Sequence, residues 1–70
     1  MIKSKFAENL KSMRKEKGLS QAVLAEMLGV TQQCVSEWEL ENTDPTLTYL
    51  WLLADIFEIS IDVLCGRSEY

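Results

Sequence analysis

Residues 19–39 read LSQAVLAEMLGVTQQCVSEWE, and Gly29 splits this stretch into two short helical patterns that the rest of the chain must support. Ser20 opens the first pattern, where its hydroxyl can accept a hydrogen bond from an otherwise unpaired N–H of a first helical turn. Leu24 and Leu28 lie one turn apart, with Ala25 beside them, so the apolar side is narrow and contains a small residue over which another helix can come close. Gly29 is free to take the left-handed backbone conformation that ends a helix and turns the chain. Thr31 is then placed to cap a second helix that turns Val35 and Trp38 inward. The opposite side of that helix carries Gln32, Gln33, Ser36 and Glu37, a polar face with a single charge.

The flanking segments follow the same helical logic. Phe6, Leu10 and Met13 recur at helical spacing, which predicts an amphipathic helix over residues 5 to about 17, with Ser4 as its cap and Gly18 as its end. Residues 40–45 are polar and read as a loop, and a fourth helix is expected from Thr46 to about Glu58. Leu47, Leu50, Ala54 and Phe57 form its expected core stripe, with Leu53 at the edge. Tyr49, Leu52 and Ile56 form a second stripe, with Trp51 between the two faces. That second stripe is either covered by the first and fifth helices or serves as a self-association surface. A short fifth helix spans residues 61–64, Gly66 ends it, and residues 67–70 read as a frayed tail.

Four helix starts share one device. Leu19-Ser20 with Leu24, Val30-Thr31 with Val35, Pro45-Thr46 with Leu50, and Ile59-Ser60 with Leu64 each place an apolar residue or proline before the cap and an apolar residue four places after it. This hydrophobic staple sets the angle at which the chain enters a helix. Independent starts that agree with the periodicity point to an all-α chain of five short helices.

Seventy residues make one domain at most, expected over residues 1–70, and so short a chain buries only roughly 60% of the surface its unfolded form exposes. No run approaches the roughly 18 apolar residues of a membrane span, and the N-terminus lacks the pattern of a secretory signal, so a cytoplasmic location is expected. Cys34 and Cys65 are far apart and the chain has no histidine, which gives no metal-ligand set and predicts free thiols. The same absence of histidine, of a nucleophile with a matching base and of a glycine-rich phosphate loop argues against an enzyme and against a cofactor or small-molecule ligand. The net charge of −4 is unevenly spread. Residues 1–17 hold Lys3, Lys5, Lys11, Arg14, Lys15 and Lys17 against Glu8 and Glu16, a balance of +4, whereas the remainder sets Arg67 against nine acids, a balance of −8.

Gly18-Leu19-Ser20-Gln21, Leu24-Ala25, Leu28-Gly29-Val30-Thr31-Gln32, Val35-Ser36 and Trp38-Glu39 together resemble the phage-repressor (XRE/Cro-type) helix-turn-helix family. Pro45, Leu50, Ala54, Phe57, Asp62, Leu64 and Gly66 continue the family pattern, so the resemblance covers almost the whole chain. It implies a lambda-repressor-like fold whose second and third helices form the helix-turn-helix, about residues 20–39, and a sequence-specific DNA-binding regulator, usually a repressor. The helix after Thr31 would then read double-stranded DNA, with Gln32, Gln33 and Glu37 as candidate base contacts beside Ser36. Gln21 would touch a phosphate or brace Gln32, and the loop containing Asn42 and Thr43 would approach the phosphate backbone. The resemblance also implies an ion pair between Arg14 and Glu39, and a homodimer on a two-fold-related operator. Tyr49, Trp51, Leu52 and Ile56 are the candidate dimer contacts.

The chain departs from this family in two places. Where members often carry glycine and then a basic residue after Trp-Glu-x, this chain has Glu41 and Asn42, with Asp44 close behind. Carboxylates in that loop repel phosphates. Glu37 puts a further acid on the reading face, where it either accepts from cytosine N4 or excludes other sequences. The competing reading is a helix-turn-helix scaffold that has lost DNA affinity and binds protein instead.

Overall fold

Side-chain caps begin three of the helices of this chain, whose computed structural model describes residues 5–67. The order is α1 (Phe6–Glu16), α2 (Gln21–Leu28), α3 (Gln32–Glu39), α4 (Leu47–Phe57) and α5 (Ile61–Cys65), with no strand among the described residues. Ser20 accepts from the Val23 N–H at 3.0 Å, Thr31 from Cys34 at 3.2 Å and Ser60 from Val63 at 3.1 Å. Thr46 precedes α4 with the same extended backbone but makes no such bond. The cap expected at Ser4 lies outside the described residues; Lys5 stands at that boundary without a side-chain cap bond.

The five helix ends share one closure. The N–H groups of Leu19, Val30, Asn42, Ile59 and Arg67 reach back to the carbonyls of Arg14, Ala25, Glu37, Ala54 and Asp62, at 2.8–3.0 Å. Each closure needs a left-handed residue just before it. Gly18, Gly29 and Gly66 supply three, and Glu41 (φ 64) and Glu58 (φ 57) are forced into the same region.

Each helix contributes one completely buried aliphatic side chain: Leu10, Leu24, Val35, Leu53 and Leu64. Three of these, Leu24, Val35 and Leu64, are the inner members of the staples, and their partners Leu19, Val30 and Ile59 pack against the same core. One local device therefore both starts a helix and delivers its main core residue. α2 and α3 share the most extensive contact, α1 lies against α3 and α5, and α4 against α5 and α2. The chain closes on itself where Lys5 N–H donates to Cys65 O at 3.2 Å. Beside it the Asn9 amide donates to Val63 O and Leu64 O, satisfying carbonyls that the short α5 leaves open. A Cβ at Gly66 would stand 2.8 Å from Lys5 Cβ, so this junction requires glycine for space as well as for φ.

α4 is turned differently from the sequence expectation. Leu53 is fully buried rather than at an edge, and Leu47 is 68% exposed rather than in the core. Tyr49 and Ile56 pack against the core, with the Tyr49 ring 5.8 Å from that of Trp38, so the expected second stripe is largely covered. What remains open is Leu47, Trp51 (61%) and Leu52 (39%), which with Thr48 line a shallow hollow. The physical reason is that α4 is apolar on most sides, so periodicity alone does not fix which line of residues points inward. Contact with α2 and α5 centres it on Leu53 and Phe57.

Candidate nucleic-acid interface

One carboxylate ties α3 to both α1 and α2. Glu39, at the last turn of α3, accepts from Arg14 Nε at 2.7 Å and from Arg14 Nη2 at 3.1 Å, a two-pronged pair with α1. It also accepts from the Gln21 amide of α2 at 3.0 Å, and the remaining prong of Arg14 holds Leu19 O at 2.8 Å. The two charged side chains are 10% and 4% exposed. The hydrogen bond to Glu39 raises the Arg14 pKa above its ordinary value, burial opposes this, and the charge of Glu39 adds to it. α1, α2, the turn before α2 and α3 thus meet at Glu39. Gln21 spends its amide N–H on that junction, and the structure does not join it to Gln32.

The outer face of α3 is the opposite case. Val35 and Trp38 are buried and Cys34 packs at the core edge, while Gln32 and Gln33 are exposed and Ser36 and Glu37 half-buried. Among the described residues none of these four polar side chains has a hydrogen-bond or ion-pair partner. A rigid helix therefore offers two amides, a hydroxyl and a carboxylate outward. Thr31 is exposed at the head of this face, its hydroxyl engaged in the cap.

Beyond α3, Asn42 and Thr43 are exposed in the loop, next to exposed Glu41 and Asp44. Glu41 is left-handed because it closes α3, and its N–H donates to Trp38 O at 3.2 Å. Lys11, Lys15 and Lys17 are exposed on α1 and just after it, and Lys17 lies 3.9 Å from Glu58 in an open pair of little energetic weight. Among the described residues no three His, Cys, Asp or Glu side chains gather as metal ligands, both cysteines are free, and no helix is long and apolar enough to cross a membrane. Burial pushes the Cys65 thiol above its ordinary value, Asp62 adding to this and Arg67 opposing it. Sequence reasoning missed the Gln21–Glu39 bond and the role of Leu47 on the open face of α4. Both depend on how helices cross, for which a single chain carries no local signal.

Comparison with known proteins places this arrangement. Residues 10–64 match the family described as Helix-turn-helix. The uncharacterized HTH-type transcriptional regulator YqaE of Bacillus subtilis is 37% identical over 65 residues, which cover 91% of this chain and 56% of that protein. The chain thus spans a little over half the length of the curated relatives it matches first. Among solved structures, a transcriptional regulator from Listeria innocua superposes with a TM-score of 0.90 at 38% identity, covering 99% of this chain and 64% of that one. The P22 c2 repressor in complex with a synthetic operator superposes with a TM-score of 0.83 at 30% identity, covering 90% of this chain and 96% of that one. With its core, its two capped helices around Gly29 and these relatives in agreement, the chain belongs to the phage-repressor (XRE-type) helix-turn-helix family.

Proposed function

We propose that this chain is a sequence-specific DNA-binding transcriptional regulator, most simply a repressor, that reads double-stranded DNA with the outer face of α3. The observation that carries this reading is that face itself: Gln32, Gln33, Ser36 and Glu37 are without partners, while the helix beneath them is fixed through Glu39. An α-helix fits the major groove of B-DNA, and amides there can donate to and accept from base edges. The likeness to a repressor solved on its operator supports the same assignment. Residues 1–70 act as one reading unit in the cytoplasm, without catalysis, cofactor or small-molecule ligand. Asn42 and Thr43 set register on the phosphates, and Gln21 acts from behind, through Glu39.

The operator is bound as a homodimer whose half-sites lie roughly 34 Å apart, one turn of DNA. Leu47, Trp51 and Leu52 supply the dimer contact, since Tyr49 and Ile56 are occupied by the core. The second reading, a protein-binding module, is favoured by one observation, the exposed acids Glu41 and Asp44 beside the reading helix. Titration of random and selected duplexes from low to moderate salt separates the two. A DNA reader loses affinity as salt rises, and a protein module binds no duplex even at low ionic strength.

A further inference from the structure

The outer face of α3 carries one charge, Glu37, four residues beyond Gln33. The residue is half-buried, and its carboxylate has no hydrogen-bond or ion-pair partner among the described residues. α3 has no cation of its own, Arg14 is committed to Glu39, and Lys17 lies against Glu58. A carboxylate in that state is repelled by the phosphates lining a groove unless a base donates to it. Bases differ in their ability to do so. In the major groove guanine shows two acceptors, thymine an acceptor and a methyl group, and adenine a donor beside an acceptor; cytosine shows the N4 amino donor alone. Cytosine is therefore the base whose edge suits a group that can only accept.

We infer that Glu37 is a specificity-determining residue that accepts a hydrogen bond from the N4 amino group of a cytosine and rejects guanine and thymine at that position. This rests on the DNA-binding reading of α3. Four helical residues rise about 6 Å, less than two steps of about 3.4 Å along a DNA strand. The cytosine lies within two base pairs of the pair contacted by Gln33. The acid that makes this chain an awkward DNA binder is then a source of its selectivity, because a wrong base leaves the carboxylate facing acceptors.

Selection from randomised duplexes at low salt, run with the wild-type protein, Glu37→Gln, Glu37→Ala and Gln33→Ala, tests this. Thermal melts in parallel establish that each variant is folded, and the isosteric glutamine replaces a side chain without partners. The expected result is a cytosine in the wild-type site, adjacent to or one removed from the position that Gln33→Ala relaxes. Glu37→Gln should change that cytosine to adenine, which matches an amide, and Glu37→Ala should lose preference there and nowhere else. Changing the cytosine to guanine should weaken wild-type binding roughly 5- to 100-fold. Identical selected sites for the wild type and both Glu37 variants would overturn the inference while leaving the DNA-binding reading intact. Absence of any enriched duplex for every protein would instead overturn the DNA-binding reading.

Discussion

At the scale of single residues, Glu39 carries the most. Three donors converge on a carboxylate that is only 4% exposed, and its removal strands the Arg14 guanidinium in the same dry place. Glu39→Ala should therefore cost about 3–5 kcal/mol in urea denaturation, a large part of the roughly 5–15 kcal/mol that holds a small domain folded. Glu58 has the opposite sign. Its left-handed φ of 57 is strained for a side chain, and its open pair with Lys17 returns little, so Glu58→Gly should raise stability by about 1 kcal/mol. Cys65 adds a pH effect: its folded-state pKa is raised, so the stability it permits is fully present below the ordinary thiol value near 9.0 and is lost as pH climbs through the higher folded value. Melting temperatures should fall above about pH 9, and Cys65→Ala should flatten that decline. The Arg14–Glu39 pair was legible through family resemblance. Gln21 joining it was not, because a three-helix junction depends on crossing geometry rather than on neighbours along the chain.

At the scale of elements, caps and staples made the helix starts legible within a residue, since Ser20, Thr31, Thr46 and Ser60 all stand where the backbone turns from extended to helical. They differ in what the side chain contributes. Ser20 and Ser60 make the cap hydrogen bond and Thr46 does not, so Ser20→Ala and Ser60→Ala should each cost about 1 kcal/mol and Thr46→Ala distinctly less. The helix ends were readable at Gly18, Gly29 and Gly66, but no glycine of this chain marks Glu41 or Glu58 as left-handed. The orientation of α4 is not legible in the sequence for a related reason: leucines at 47, 50, 52 and 53 offer several equivalent stripes, and only packing chooses among them. On the proposed dimer contact through that open face, the wild type should sediment as a dimer in analytical ultracentrifugation and Trp51→Glu as a monomer. The thermal melt should hardly change, because Trp51 is 61% exposed.

At the scale of the whole molecule, charge is divided between basic residues 1–17 and an acidic remainder. On DNA this division should appear as a shallow salt dependence for so small a binder. Lys11→Ala and Lys15→Ala should each reduce the slope further, by up to about 0.9 per phosphate contact removed, without altering sequence preference. What joins this division of charge to the packing is the placement of α3, held from behind at Glu39 and unpartnered in front. The most direct test is to follow the side-chain amide NMR signals of Gln32 and Gln33 while a selected duplex is added to labelled protein. Those signals should move or broaden together with the backbone of Asn42 and Thr43, and the signals of Leu53 and Leu64 should stay in place. Perturbations confined to the open face of α4 or to α1, with both glutamine amides unchanged by a duplex that binds, would contradict the account.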